Sequence, residues 1–436
     1  MILGKLDRKL RLYKQVFTTN DYGERDVASK TLVTIYGSFD YKSGKTSYDA
    51  DALINEETIQ CLIRYRTDIG VSPQYFISNG STNYSIKSIK EVGRKDAMLL
   101  TLEQNDVIDL SAINTFFEYT INTNNTVDIL SSSSTQYALP TRASGTYDFE
   151  VDWGDGNTNT ITTYNDANGL HTYGSSGTYT IKIKGVFSGI ITALDTGVWN
   201  VGRIDTLKIL DIKSYGPLII QDNSAFKDCT NLTSSATDKL QISTSDATST
   251  FEDTNFNGVV DTWDVSNITN FTNFFHGSQF NQDCNSWDVS QATNLSGMFE
   301  STPFNKSLSN WDLSSVTSTS SMFGANTSFN QDISMWDMAD VTTVLGMFSG
   351  ATAFDKSLAS WDVTSFTGSQ LLFFGNGSGL STANYDDTLI GWAAQNVNSG
   401  VSINFGTSKY TAGGDAAAAR ATLVTKGWTI TDGGTA

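Results

Sequence analysis

The chain has 436 residues, 39% of them hydrophobic, so it is too long for one compact domain and long enough to bury several cores. Its 36 glycines against 4 prolines, with Ser, Thr and Asn abundant in the second half, favour short strands and polar turns over helical bundles. The net charge is −18 and is unevenly distributed: residues 1–105 hold 15 basic and 13 acidic residues, and the remainder holds 13 basic and 33 acidic residues. The acidic excess of the remainder repels phosphate, so DNA contact is expected only in the N-terminal part. Three or four mainly β units are predicted.

Residues 1–110 alternate apolar and polar side chains in several short runs, as half-buried strands do. The clearest run is 58–66, and 31–39, 84–89 and 97–102 supply others. Between runs 31–39 and 58–66 lies a polar, glycine-containing segment, residues 40–57, which is expected to be a long loop. A small β-barrel or sandwich is predicted for this first domain.

This domain contains five short motifs: GKLDRKLRL at 4–12, DYGE at 21–24, IRYR at 63–66, IKSI at 86–89 and the closing strand at 99–103. Together they resemble those of the phage head-tail joining family, also called head-closure or stopper proteins. The resemblance implies a homo-oligomeric ring, twelve-fold in the family, that lies beneath the portal and its adaptor, closes the DNA-filled head and receives the tail. It implies no catalytic residue.

Lys42 and Lys45 lie near the tip of the expected loop. Repeated around a ring, they would form a belt of cations near packaged DNA. A loop that packs on a neighbouring subunit is the alternative, and both interpretations stay open.

Residues 118–186 form a second predicted domain, with a turn WGDG at 153–156 followed by two alternating strands. This pattern resembles the PKD domain, which implies an Ig-like sandwich that serves as a spacer or interaction module. His171 has no nearby partner for catalysis, so a structural hydrogen bond is expected. Asp152 and Asp155 are expected to cap the turn, with calcium binding as the less favoured alternative.

Residues 187–395 contain aromatic series with intervals of 24 or 25 residues, the mark of a solenoid. The members are Trp263, Trp287, Trp311, Trp336 and Trp361, in step with Phe275, Phe299, Phe323 and Phe348. Since each unit is too small to bury its own apolar side chains, stacked coils should place like residue on like. These aromatics are therefore predicted to be core ladders and not sugar-stacking platforms.

The repeats resemble the BspA-type leucine-rich repeat of bacterial surface proteins, with FNQDISMWDM at 329–338 and GMF at 346–348 as the clearest copy. The Asp of each Trp-Asp pair is expected to cap a tight turn. Residues 396–436 should form a short α/β cap, with a helix at 416–426 and a strand at 428–430, because a solenoid must cover its last apolar face.

Three cysteines, Cys61, Cys229 and Cys284, stand far apart, so neither a zinc site nor a disulfide framework is indicated. No metal, cofactor, secretory signal or membrane insertion is expected. With only His171 and His276 available and no catalytic motif, the protein is predicted not to be an enzyme.

These observations together predict a structural protein of the tailed-phage neck, located in the virion and assembled in the host cytoplasm. The expected partners are portal and adaptor proteins, tail proteins, further copies of itself and packaged DNA near the N-terminal domain. The extension could also contact the capsid or the host surface. A bacterial-type surface adhesin or glycan-binding protein is the alternative.

Overall fold

A computed structural model describes ten segments of the chain: 8–19, 25–49, 52–64, 75–79, 82–92, 97–104, 116–126, 131–190, 205–368 and 380–436. The chain divides into two compact units, Met1–Asn114 and Thr115–Ala436. Both are built mainly from β structure, and the described part contains two α-helices, so the expected mainly β class is confirmed. Among the described residues, no helix has the length and apolar content needed to cross a bilayer.

The first unit is a six-stranded antiparallel sheet that closes on itself. Its strands pair in the order β1-β2-β3-β6-β5-β4, and β4 pairs back to β1. The strands are β1 (Arg8–Thr19), β2 (Arg25–Asp49), β3 (Ala52–Arg64), β4 (Tyr75–Asn79), β5 (Thr82–Val92) and β6 (Ala97–Gln104). Closure leaves no unpaired edge along this ring of strands.

The expected long loop at 40–57 is wrong, because this segment is the far end of a two-stranded hairpin. β2 continues to Asp49 and β3 begins at Ala52, with Tyr48 opposite Leu53. A register shift between Lys42 and Lys45 places two residues, Ser43 and Gly44, opposite the single residue Glu57. Pairing in register on both sides satisfies the backbone groups of a polar segment that composition alone would assign to a loop.

The second unit begins with four strands in the order β10-β9-β12-β7. They are β7 (Phe117–Asn122), β9 (Thr141–Asp152), β10 (Thr158–Ile161) and β12 (Thr178–Ile190), and a separate pair joins β8 (Gln136–Ala138) to β11 (Leu170–Thr172). Alternate residues of β7, namely Phe117, Tyr119 and Ile121, are buried, as expected for a strand with one face on a core.

The same sheet continues into the first coils of the repeat region. β13 (Ile209–Ser214) pairs antiparallel with β7, and β14 (Leu218–Ile220) pairs parallel with β12. β15 (Thr233–Ser234) and β16 (Gln241–Ile242) then add parallel pairs to β13 and β14. Hydrogen bonding thus connects the strands of the predicted PKD-like region to the first coils of the repeat region.

A buried ion pair lies at this junction. Lys208 has no exposed side-chain surface, and its Nζ lies 3.3 Å from Oδ1 of Asp205. The ammonium donates to the carbonyl oxygens of Ser132, Ser133 and Gln136, while Asp205 accepts from the backbone amides of Ser132 and Ala138. Charges are tolerated in a core only when paired and fully hydrogen-bonded, and both conditions hold here.

From residue 246 onward each coil contributes one bridging residue instead of a strand. Parallel bridges connect Asp246, Asn270, Asn294, Ser318 and Thr343. Each coil also holds two residues with positive φ, four positions apart, and six such pairs follow one another. They are Ser224/Asp228, Ser249/Asp253, Asn273/Gly277, Gly297/Ser301, Ser321/Ala325 and Gly346/Gly350. These left-handed residues turn the chain sharply before a strand can extend.

After the solenoid come α1 (Thr382–Ala393), β17 (Ser402–Asn404), α2 (Gly414–Thr425) and β18 (Thr429–Thr431). α1 occupies the place of a further coil, since Trp392 Nε1 donates to the carbonyl of Leu358 at 2.8 Å. β17 and β18 pair in parallel. The run of alanines at 416–419, with strong helix propensity, accounts for α2.

Candidate functional site

The five repeat tryptophans lie in the interior, between 0 and 4% exposed. Four of the indole N–H groups donate to a carbonyl oxygen of the preceding coil. These bonds join Trp287 to Val260, Trp311 to Cys284, Trp336 to Leu308 and Trp361 to Ile333, at 2.8 to 3.1 Å. Trp263 begins the series, and its buried Nε1 has no acceptor among the described residues. The ladder therefore ties each coil to the one before it.

The repeat phenylalanines stack in two parallel columns. Phe275, Phe299, Phe323 and Phe348 are at most 1% exposed, and successive ring centroids are 5.7 to 6.1 Å apart. Each ring also stacks on a second phenylalanine of its own coil, as Phe275 does on Phe280 at 3.7 Å. With no face open to solvent, neither column can stack on a sugar or a base.

An asparagine ladder, which the sequence motifs did not predict, runs beside the phenylalanines. The side-chain oxygen of each accepts from the backbone amide of the residue one period later. The series runs from Asn257 to Asn281, Asn305, Asn330, Asp355 and finally Ser381, at 2.7 to 3.0 Å. The Phe-Asn dipeptide recurring in the repeats was the available signal.

The aspartate of each Trp-Asp pair caps a turn. Oδ1 of Asp264, Asp288, Asp312, Asp337 and Asp362 accepts from the backbone amide two residues later, at 2.9 to 3.2 Å. The backbone and side-chain hydrogen bonds from Ser314 lower the pKa of Asp312. The lowered pKa makes Asp312 a poor proton donor near neutral pH. All five carboxylates are committed to turns by their hydrogen bonds to the backbone.

His171 and the two neighbouring aspartates have structural contacts. Nε2 of His171 lies 2.8 Å from Oδ2 of Asp155, and its ring stacks on Trp153 at 4.6 Å. Asp152 accepts from the amide of Gly154, and Asp155 from that of Asn157. These hydrogen bonds and the ring stacking hold the turn at 153–156 against the core.

Cys229 and Cys284 are buried, and neither is in a disulfide. Burial raises the pKa of the Cys284 thiol, which keeps it protonated and unreactive. The side chain of Cys61, in β3, lies outside the described residues.

Two family models match the chain. Residues 1–104 match the family described as phage head completion protein. Residues 221–303 and 300–386 match DUF285, described as a Mycoplasma protein of unknown function. No curated protein and no solved structure matches the chain significantly.

The first match suggests a structural role in a phage, as a component of the virion, and agrees with the motifs of residues 4–103. The second agrees with the repeat resemblance over residues 221–386. Neither family is described as enzymatic. The PKD-like character of residues 118–186 stays a prediction.

Lys42 and Lys45, which fall within the head completion match, both lie in β2. Lys42 pairs with Thr58 and Lys45 with Glu56, on either side of the register shift. Their backbone is therefore held in a hairpin, whichever surface their side chains meet.

Proposed function

We propose that the protein is a structural component of the neck of a tailed phage. A ring of its N-terminal units closes the DNA-filled head and offers a docking face to the tail, with portal and adaptor proteins on the other side. The observation that carries this proposal is the match of residues 1–104 to the phage head completion family. The first compact unit ends at Asn114, just after the matched region, which supports a self-contained joining domain.

Residues 115–436 are an extension displayed outward from the neck in this proposal. They comprise the PKD-like spacer at 118–186, the solenoid at 187–395 and the cap at 396–436. Their excess of acidic residues makes neighbouring extensions repel one another and packaged DNA. Lys42 and Lys45, in the near-neutral first unit, are the proposed contacts with DNA or with the adjacent subunit.

Adhesion is a second proposed role, for the extension alone. The resemblance of the repeats to the BspA-type repeat of bacterial surface proteins favours contact with a bacterial or host surface. The same region matches a Mycoplasma family of unknown function. A polypeptide or glycan would have to bind the outer face of the coils, because the aromatic columns are buried. A bacterial-type surface adhesin remains the alternative for the whole chain.

Truncation tests the joining role. A phage in which this protein is truncated after residue 114 should package DNA and attach tails, because the proposed joining domain is complete at that boundary. Electron microscopy of particles and protection of packaged DNA from nuclease measure both steps. A deletion of residues 8–104 with the extension retained is the matched control and should give leaky, tailless heads. Leaky heads from the 1–114 protein would place the extension within the joint.

Copy number tests the ring. Residues 1–114 in isolated necks should form a closed ring, twelve-fold if the family resemblance extends to symmetry. Neck reconstruction and mass measurement give the number. A single copy, or a site without rotational symmetry, contradicts the proposal.

A further inference from the structure

Three potential metal ligands from two adjacent coils meet on the solenoid flank. Glu252, Asp253 and His276 each offer one ligand atom, and these atoms lie within 4.8 Å of one another. Nδ1 of His276 is 3.9 Å from Oε1 of Glu252 and 3.8 Å from Oδ1 of Asp253. Both separations exceed a hydrogen bond. The imidazole thus faces two carboxylates without bonding to either.

The coil geometry brings these side chains together. The amide of Asp253 donates to the carbonyl of His276 at 2.8 Å, which sets the two coils in register. Asp253 has φ +54° and Gly277 has φ +66°. A Cβ on residue 277 would overlap Oδ1 of Asp253, so the glycine leaves room for that carboxylate.

Unpartnered polar atoms are an independent sign of a ligand. Glu252 is 8% exposed, yet its buried Oε2 has no hydrogen-bond partner, and neither has the buried Nδ1 of His276. In the described part of the chain four buried side-chain polar atoms lack a partner, and two of them belong to this cluster. Native structures rarely leave such atoms unsatisfied without an ion or a water.

The surrounding charges leave the cluster anionic. Lys227 lies 3.2 Å from Oε1 of Glu252 and is the nearby lysine. Four carboxyl groups lie around it: those of Glu252 and Asp253, that of Asp228, which interacts with both, and that of Glu300, which interacts with His276. A cation would relieve the repulsion among these carboxylates.

We propose that Glu252, Asp253 and His276 form a site for a divalent transition-metal cation such as zinc. Zinc accepts both imidazole nitrogen and carboxylate oxygen as ligands, whereas calcium and magnesium prefer oxygen ligands alone. Bonds of about 2.0 to 2.2 Å require the ligand atoms to approach to roughly 3.3 Å. The partly exposed side chains of His276 and Asp253 can make this small movement, at 28% and 48% exposure.

The ion would have a free coordination position. Asp253 and Gly277 also border a groove of about 430 Å³, lined in addition by Asp228, Thr230, Thr254 and Asn255. Three protein ligands leave a fourth position of a tetrahedral ion for water. That water would lie on the groove side, where a further ligand could replace it.

Zinc titration of the untagged full chain tests the site. Calorimetry should give one zinc per chain, with calcium and magnesium binding far more weakly. His276→Gln and Glu252→Gln should each lower zinc affinity by about tenfold or more. His276 is half-buried, so H276Q should fold even if E252Q does not, and circular dichroism checks both. Unchanged affinity in H276Q, or no stoichiometric binding by the unmodified chain, overturns the proposal.

Two control variants sharpen the result. The chain has one other histidine, and His171→Gln should leave zinc affinity unchanged. Lys227→Met removes the neighbouring cation and should tighten zinc binding several-fold. Loss of binding in H171Q, or no gain in K227M, would place the ion elsewhere.

Discussion

Replacing Trp311 by alanine is expected to lower the free energy of unfolding of the second unit by about 3 to 5 kcal/mol. The indole is 4% exposed, and its Nε1 donates to the carbonyl of Cys284 at 3.0 Å. The substitution leaves a cavity between two coils and a buried carbonyl without its donor. All nine tryptophans follow residue 114, so urea unfolding monitored by tryptophan fluorescence reports on the second unit alone.

Paired phenylalanine variants separate the hydrogen bond from the packing. Trp311→Phe should cost more than Trp263→Phe, because the indole N–H of Trp263 has no acceptor in the described part of the chain. Met335, which is 83% exposed, is the control for side-chain removal, and Met335→Ala should change stability by less than about 0.5 kcal/mol. Equal costs at positions 263 and 311 would contradict the role given to the bond.

Replacing Lys208 by methionine should destabilise the second unit by about 3 to 5 kcal/mol, because it leaves the carboxylate of Asp205 buried and unpaired. Three carbonyl oxygens also lose a donor. Hydrogen exchange should show the greatest loss of protection in β7, β8 and β13, which meet at this junction.

The charge explanation has its own controls. The double variant K208M/D205N should recover part of the lost stability, since it removes both buried charges together. Lys213, whose side chain is 43% exposed, should tolerate methionine with little change. A K208M variant as stable as the unmodified chain would show that the pair is dispensable.

The repeat region was predictable because its signal is redundant. Trp and Phe recur every 24 or 25 residues, and stacking like on like is the simplest way to bury them. The hairpin at 40–57 was not predictable by the same reasoning. Its residues are polar and include Gly44, so local composition favours a loop, and only pairing between β2 and β3 determines the structure.

The side-chain contacts between coils were harder to predict. In the sequence Asn305 has no distinguishing feature; only the structure shows that its Oδ1 accepts from the backbone amide of Asn330 at 3.0 Å. Likewise Lys208 and Asp205 are three residues apart, a spacing typical of exposed helical pairs, and their burial depends on Ser132, more than 70 positions earlier. The cluster of Glu252, Asp253 and His276 depends on the register of two coils, which a period alone leaves undefined.

The indole and asparagine ladders allow the number of coils to change during evolution. Each indole donates to a carbonyl at the corresponding position of the preceding coil, and each asparagine oxygen accepts from the amide of the equivalent residue in the next coil. Loss or duplication of a whole unit by recombination therefore joins matching partners again. A deletion of about half a unit would instead bring unlike positions together in both ladders. Unequal crossing-over within the gene can therefore lengthen or shorten the array in whole steps, while the start of the array and α1 keep their own contacts.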